Sequence, residues 1–268
     1  MGTAARPQIS SAGKVLAVLS LFSAERPFQS PERAARRLGV SLATVYRYFN
    51  ALLAAGLLER LQRNRYVLGP AIVELDRQIR AADPLLQLAR PVMMQLLRRV
   101  RSPASVLLCR YYRQKVMCIH EETNRSGEPV SSYARGAGRP LFRGATSKAI
   151  LAHLPPRTLA GLWEAHRREI CAAGLGPGFE DFKARLKALR HEGVCVSTSE
   201  VDPGRTGIAA PVFDADGRVS GSLSLVLHSR RVDARTLTRL RSAVAAAARD
   251  IERQRDGRKV RNAVSARA

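Results

Sequence analysis

Ser30-Pro31-Glu32-Arg33-Ala34-Ala35-Arg36-Arg37-Leu38-Gly39-Val40-Ser41, continued by Leu42 to Ala55 and then Gly56-Leu57-Leu58-Glu59-Arg60, decides how the rest of the chain is read. Ser30 caps a first helix with Pro31 in its first turn, and Gly39 takes the positive φ that turns the chain out of it. Ser41 caps a second helix. There Val45, Tyr48, Phe49 and Leu52 recur at helical spacing and face inward, which leaves Ala43, Thr44, Tyr46, Arg47 and Asn50 outward. Gly56 stops that helix. Leu57 to Leu61 then pairs with Arg65 to Leu68 across Gln62-Arg63-Asn64, as the wing of a winged helix. Cap, glycine turn, second cap and basic hairpin come in the order that a reader of double-stranded DNA requires. The candidate contacts are Ser41, Ala43, Thr44, Tyr46, Arg47 and Asn50 on the second helix, with Arg63 and Arg65 on the wing. Arg47 suits a guanine edge, Thr44 or Asn50 a base or phosphate, and the wing arginines the backbone or minor groove.

The 268 residues suffice for two domains, and 46% hydrophobic residues against 5% aromatic ones imply aliphatic cores. The formal charge of +23 points to a polyanionic partner without locating it. Residues 1–82 hold 12 basic and 5 acidic side chains, and residues 83–268 hold 33 and 17, so the surplus is spread throughout. The four cysteines, Cys109, Cys118, Cys171 and Cys195, show no C-x-x-C pairing, and no signal-like apolar run opens the chain. A reduced, cytoplasmic protein is expected. Cys118 and His120 share one face of a strand, but two ligands on a strand are core and rim residues more often than a zinc site, so no metal is expected. No apolar run reaches the length of a membrane span.

Residues 1–10 read as a polar tail. A first helix from Ser11 carries Val15, Leu16, Val18, Leu19 and Phe22, and Phe28 opens a short strand beside the wing. After Gly69-Pro70 come a helix with Ile72, Leu75 and Ile79 apolar, and then one in which Leu85, Leu88, Val92, Leu96 and Val100 keep the stripe, with Pro91 inside it. This connector is expected to pack on the same helices of a second subunit, since one winged helix alone makes few specific contacts. Beyond Pro103 the periodicity becomes that of strands: a hairpin Ser105–Tyr112 and Lys115–Glu121, a polar loop to Val130, and a glycine-rich run Arg135–Pro140. Helices follow over Thr146–His153, Thr158–Arg168 and Phe179–Gly193, then strands Val194–Ser199, Gly207–Phe213 and Arg218–Leu227. Asp214-Ala215-Asp216-Gly217 turns between the last two. A final helix, Asp233–Arg253, carries Leu237, Leu240, Val244 and Ile251. The second half is thus an antiparallel sheet with helices packed against it, and the chain as a whole is α+β, with a pocket expected between sheet and loops.

Three stretches resemble the IclR-type (isocitrate-lyase-regulator) transcriptional regulators. They are Leu38-Gly39-Val40-Ser41-Leu42-Ala43-Thr44-Val45-Tyr46-Arg47, then Gly138 to Ala152, and Glu200-Val201-Asp202-Pro203-Gly204-Arg205-Thr206-Gly207-Ile208-Ala209-Ala210-Pro211-Val212-Phe213-Asp214. The resemblance runs from about Ile9 to Arg253. It implies a winged helix-turn-helix over 1–70, linker helices over 71–101, a GAF-like effector domain over 102–255 and a basic tail over 256–268. It also implies a homodimer or dimer of dimers that binds operator DNA and a small effector, commonly an organic or aromatic acid. Pocket positions of relatives fall on Ala145, Thr146, Ser197, Gly207, Ser224 and Val226. Ala145 and Thr146 sit where backbone N–H groups at a helix start can hold a carboxylate, and Ser224 adds a hydroxyl. Relatives carry acidic or thiol groups in place of Ser197 and Gly207 and a hydroxyl in place of Val226, so a less polar pocket and a bulkier acid than glyoxylate are expected.

No nucleophile elbow, zinc-hydrolase spacing or Walker-type loop occurs, and the five histidines are dispersed singly, so no catalytic residue and no cofactor are expected. A non-specific architectural DNA binder explains the charge but leaves about 170 residues of pocket-bearing chain without a role.

Overall fold

A computed structural model describes residues 10–124, 131–132 and 134–265, the last ten of these by backbone alone. Val130 of the predicted loop lies outside the described residues. The chain forms two compact units, residues 1–83 and 84–268.

In the first unit α1 (Ser11–Leu19), α2 (Pro31–Leu38) and α3 (Leu42–Ala54) meet β1 (Leu58–Gln62) and β2 (Arg65–Leu68). The caps are side-chain acceptors: Ser30 Oγ takes the Arg33 N–H at 3.3 Å, and Ser41 Oγ takes the Thr44 N–H at 3.2 Å. Gly39, at φ 64°, makes the left-handed exit from α2 that a β-carbon would disfavour. Val18, Ala34, Val45, Tyr48, Phe49, Leu52, Leu58 and Tyr66 close one core. Phe49 meets Tyr66 edge-on at 4.7 Å, which fastens the reading helix to the wing.

Three details differ from the sequence reading. Leu16 is 59% exposed, because Val15, Val18 and Leu19 already fill the inward arc of α1. The strand expected at Phe28 reduces to a single bridge between Gln29 and Tyr66. The wing turn narrows to Arg63-Asn64, since Gln62 pairs with Arg65 across a bulge.

Residues 71–101 form α4 (Ala71–Ala82) and α5 (Pro84–Arg98), and the boundary between the units falls between them. No residue of α4 is buried, with Val73, Leu75 and Ile79 at 71%, 47% and 59% exposure. In α5 the buried stripe is Leu86, Ala89, Val92, Met93, Leu96 and Leu97, shifted from the predicted one so that Leu85 and Leu88 are only half-buried. That stripe packs on the sheet of its own unit, so it is not available to a second subunit. Pro91 sits on the exposed side of the helix.

The second unit is built on β3 (Ala104–Tyr112), β4 (Lys115–Thr123), β5 (Gly138–Pro140), β6 (Cys195–Thr198), β7 (Arg205–Phe213) and β8 (Val219–His228). Their order is β5-β4-β3-β8-β7-β6, antiparallel throughout. Alternation along the strands sorts two cores. Leu223, Leu225, Leu227, Ile208, Ala210 and Val212 face α5 and α9 (Ala234–Ser265). Leu107, Cys109, Cys118, Ala209 and Val226 face α6 (Ala145–Leu151), α7 (Pro156–Ala172) and α8 (Phe179–Glu192). Three features were not foreseen: β5, paired to the edge of β4 within the glycine-rich run, a 3-10 turn over Ser229–Arg231, and the continuation of α9 to Ser265 through residues read as a basic tail.

The junction between wing and α4 is close. Gly69 donates to the Leu57 carbonyl at 2.9 Å, and a β-carbon there would lie 2.2 Å from the Gly56 oxygen and 2.8 Å from that of Leu58. Gly69→Ala is therefore expected to destabilise the first unit by about 1–3 kcal/mol, as overpacking does. A thermal melt of the full chain followed by circular dichroism reads it, and an unchanged first transition would show that the junction yields freely.

Candidate functional site

The first candidate surface is the outer face of α3 with the wing. Ala43, Tyr46, Arg47 and Asn50 are exposed, with Tyr46 at 40%. Leu42, at 42%, stands beside them and was not singled out from the sequence. Thr44 is half-buried, and its hydroxyl lies 2.8 Å from that of Ser41, so both side chains serve the cap before anything else. On the wing Arg63 is exposed at the turn, whereas the Arg65 guanidinium lies 3.5 Å above the Phe28 ring. Arg65, next to the turn, is thus laid over Phe28 rather than extended away from the wing.

Two wing supports were missed. Arg60 donates to the Gln62 and Arg63 carbonyls at 3.4 and 2.9 Å, holding the turn closed. Asn64 Nδ2 donates to Glu32 Oε2 at 2.8 Å, tying the wing tip to α2; that contact, ahead of the local backbone and Ser30 bonds, lowers the Glu32 pKa. The signal for this pair was an amide in the turn and an acid in the first turn of α2, too distant in sequence to connect.

The second candidate is a pocket in the other unit, about 30 Å3, lined by Ser131, Gly144, Ala145, Thr146, Ser197, Glu200, Val201, Asp202, Arg205, Gly207 and Val226. Five of the six predicted positions, Ala145, Thr146, Ser197, Gly207 and Val226, meet there. The sixth does not: Ser224 is fully buried behind the wall, its hydroxyl without a hydrogen-bond partner among the described residues. The expected row of open N–H groups before α6 is also corrected. Gly144 N–H is taken by Glu200 Oε2 at 2.9 Å and Ala145 N–H by Ser197 Oγ at 2.8 Å. Lys148 Nζ completes this cluster, 2.7 Å from both Glu200 oxygens. The lining also carries charge: Glu200 and Asp202 from the segment joining β6 to β7, and Arg205 from the first position of β7. Asp202 accepts from the Ser132 N–H at 3.0 Å.

Arg205 carries the most informative atom. Its Nη1 is buried and donates to nothing among the described residues. A buried guanidinium N–H without an acceptor is uncommon and costly. In the sequence Arg205 stands within the stretch that carries the family resemblance, with no role assigned to it.

Other reactive groups are spent or inert. Cys118 Sγ donates to the His120 carbonyl at 3.3 Å, and His120 Nε2 lies 2.9 Å from Glu122 Oε1. Among the described residues no three His, Cys, Asp or Glu side chains converge as metal ligands. Burial pushes the Cys195 thiol up to about 12 and raises Cys109 as well, which removes the thiolate that nucleophilic chemistry needs. Among the described residues no helix is long and apolar enough to cross a membrane.

A winged helix with an exposed reading face on one unit, and a polar pocket roofed by a loop on the other, define a transcriptional regulator with a DNA-binding and an effector domain. The chain belongs to the IclR family: the family described as bacterial transcriptional regulator IclR C-terminal matches residues 80–253, and the IclR helix-turn-helix domain matches residues 11–62. Its members are regulators and not enzymes. Among relatives, the HTH-type transcriptional regulator KipR of Bacillus subtilis is 26% identical over 246 residues, covering 90% of this chain and 95% of KipR. An IclR transcriptional regulator from Alicyclobacillus acidocaldarius shares the fold at TM-score 0.75 and 22% identity, over 92% of this chain and 99% of that one. An IclR homologue from Microbacterium hydrocarbonoxydans, complexed with 4-hydroxybenzoate, does so at TM-score 0.73 and 21% identity, over 92% and 100%.

Proposed function

We propose that this regulator responds to a small organic acid, and that Arg205 receives the acid's carboxylate. The observation that carries the reading is the buried, unpaired Arg205 Nη1 in the pocket wall. A carboxylate is the acceptor that a guanidinium fork fits best. The solved relative with 4-hydroxybenzoate supports an aromatic acid as the ligand class.

At about 30 Å3 the pocket holds roughly two waters, not a ring. An aromatic acid therefore enters only if the segment Glu200–Arg205 moves, which makes ligand binding and a change of this segment one event. A state with the segment displaced binds the acid and the closed state does not, and such differential affinity shifts a population. Reciprocity follows: operator DNA and acid change each other's affinity by the same factor.

On the DNA side, Arg47, Asn50 and Tyr46 read the major groove while Arg63 meets the backbone, the work being done in the cytoplasm. Two chains pair through α4, whose Val73, Leu75 and Ile79 find no cover within the first unit. The pairing supplies two reading heads for two half-sites.

Three outcomes test these statements. Arg47→Ala is expected to weaken operator binding by about 1–3 kcal/mol with altered base preference, whereas Arg63→Ala weakens all sequences alike and lowers the salt slope by about 1. Uniform weakening by Arg47→Ala in a binding-site selection would sink the recognition-helix assignment. In calorimetry wild-type protein should prefer 4-hydroxybenzoate to 4-hydroxybenzamide, and Arg205→Gln should erase that preference, a loss of about 1.5–3 kcal/mol; a preference that survives the substitution removes Arg205 from the role. Leu75→Asp with Ile79→Asp should give monomers in sedimentation, and an unchanged assembly would exclude α4 as the contact.

A further inference from the structure

The second unit holds a much larger cavity than the one beside Arg205. It measures about 720 Å3 and lies among the end of α6, the first turns of α7, the outer side of α8 and the β7–β8 hairpin. Its floor is hydrocarbon, with Leu154, Leu159 and Leu186 buried and Phe179 half-buried. One wall is aromatic: His153 meets Phe213 edge-on at 5.0 Å. His153 Nδ1 lies 3.0 Å from the Ala149 carbonyl, and burial lowers the pKa of the ring, so this wall is neutral at physiological pH.

The lip is of one sign. Arg157, Lys183 and Arg190 line it, and among the described residues no carboxylate does. Lys183 has its own partner, Glu180, at 2.7 Å. Arg190 spends one N–H on the Ala152 carbonyl at 2.8 Å, and the Arg157 side chain makes no hydrogen bond or ion pair among the described residues. An apolar cavity of several hundred cubic ångströms with a few convergent polar groups has the dimensions of a ligand site. Guanidinium groups with unspent donors at its mouth select the sign of the ligand.

We propose that this cavity is a second small-molecule site on the effector domain, for an amphipathic anion. Its apolar body lies on the leucine and phenylalanine floor, and its carboxylate or sulfonate meets Arg157 and Arg190. The site is open as it stands, so it fills without displacing Glu200–Arg205 and without competing with an acid at Arg205. It does not rest on the reading of the smaller pocket.

The probe is 1-anilinonaphthalene-8-sulfonate, titrated into the full-length protein by fluorescence at physiological salt. One dye per chain is expected, not displaced by 4-hydroxybenzoate. Ala160→Trp, at a half-buried position in the lining, should fill the cavity and abolish the signal. Arg157→Ala should weaken the dye about tenfold, with Arg157→Lys restoring most of the loss. Dye affinity unchanged in Arg157→Ala overturns the proposal, and this arm decides alone if Ala160→Trp fails to fold. So does displacement by 4-hydroxybenzoate, or an Ala160→Trp protein that keeps the dye but changes its sedimentation, which would make the cavity a contact between copies. If 4-hydroxybenzoate binds nowhere, the reading of Arg205 falls while the dye titration still stands.

Discussion

The carboxylate of Glu200 is the hinge on which the effector domain's arrangement turns. It reaches from the segment after β6 to the backbone of Gly144 and to Lys148, and Ser197 adds a second tie to Ala145. Those bonds draw a loop down onto the start of α6 and shut the space between helix and sheet. They also satisfy N–H groups that would otherwise stand open where the helix begins. The half-buried pair is not notable for stability, since desolvation offsets much of its attraction. What it fixes is position: Asp202 and Arg205, five residues or fewer away, are set over the pocket because Glu200 is anchored.

Much of this was legible in the sequence, for identifiable reasons. Capping serines, Gly39 and the spacing of Val45, Tyr48, Phe49 and Leu52 are local, and local rules place a helix-turn-helix without help from the rest of the chain. Gly207 and Val226, positions implied by the family resemblance, pair across β7 and β8 and line the same pocket as Ala145. The misses lie where a side chain chooses among distant partners. Ser224 has the right parity to face the pocket, yet α6 packs over it; parity gives the face of a sheet and not the point along it where a cavity opens. Glu200 and Arg205 stand in the stretch that carried the family likeness, but nothing local shows that one is spent and the other is not. The stripe of α5 shifted for a similar reason: either of two adjacent arcs is apolar enough, and the neighbouring sheet and α9 decide which is buried.

Charge divides differently from structure. The surplus of arginine extends over both units, so net charge alone does not mark the DNA-reading surface. Geometry does. Arg47 projects from a helix pinned by a buried core, while Arg65 is laid over Phe28 and Arg60 is turned back onto the wing's own carbonyls. Of these three arginines, two shape the hairpin and one is left for the groove, a distribution of labour invisible to a charge count.

The sheet of the second unit ends on β5 and β6, strands of three and four residues. Gly138 and Pro140 bracket the first, and the second stops at Ser199, whose φ of 56° bends the chain off the strand direction. These two strands are therefore too short and too irregular to template another chain's strand, a common defence of sheets against edge-to-edge growth. Where β5 and β6 lie, a second copy of the chain held nearby meets no straight run of open N–H and C=O groups to extend, so crowding there does not lead to strand-by-strand growth.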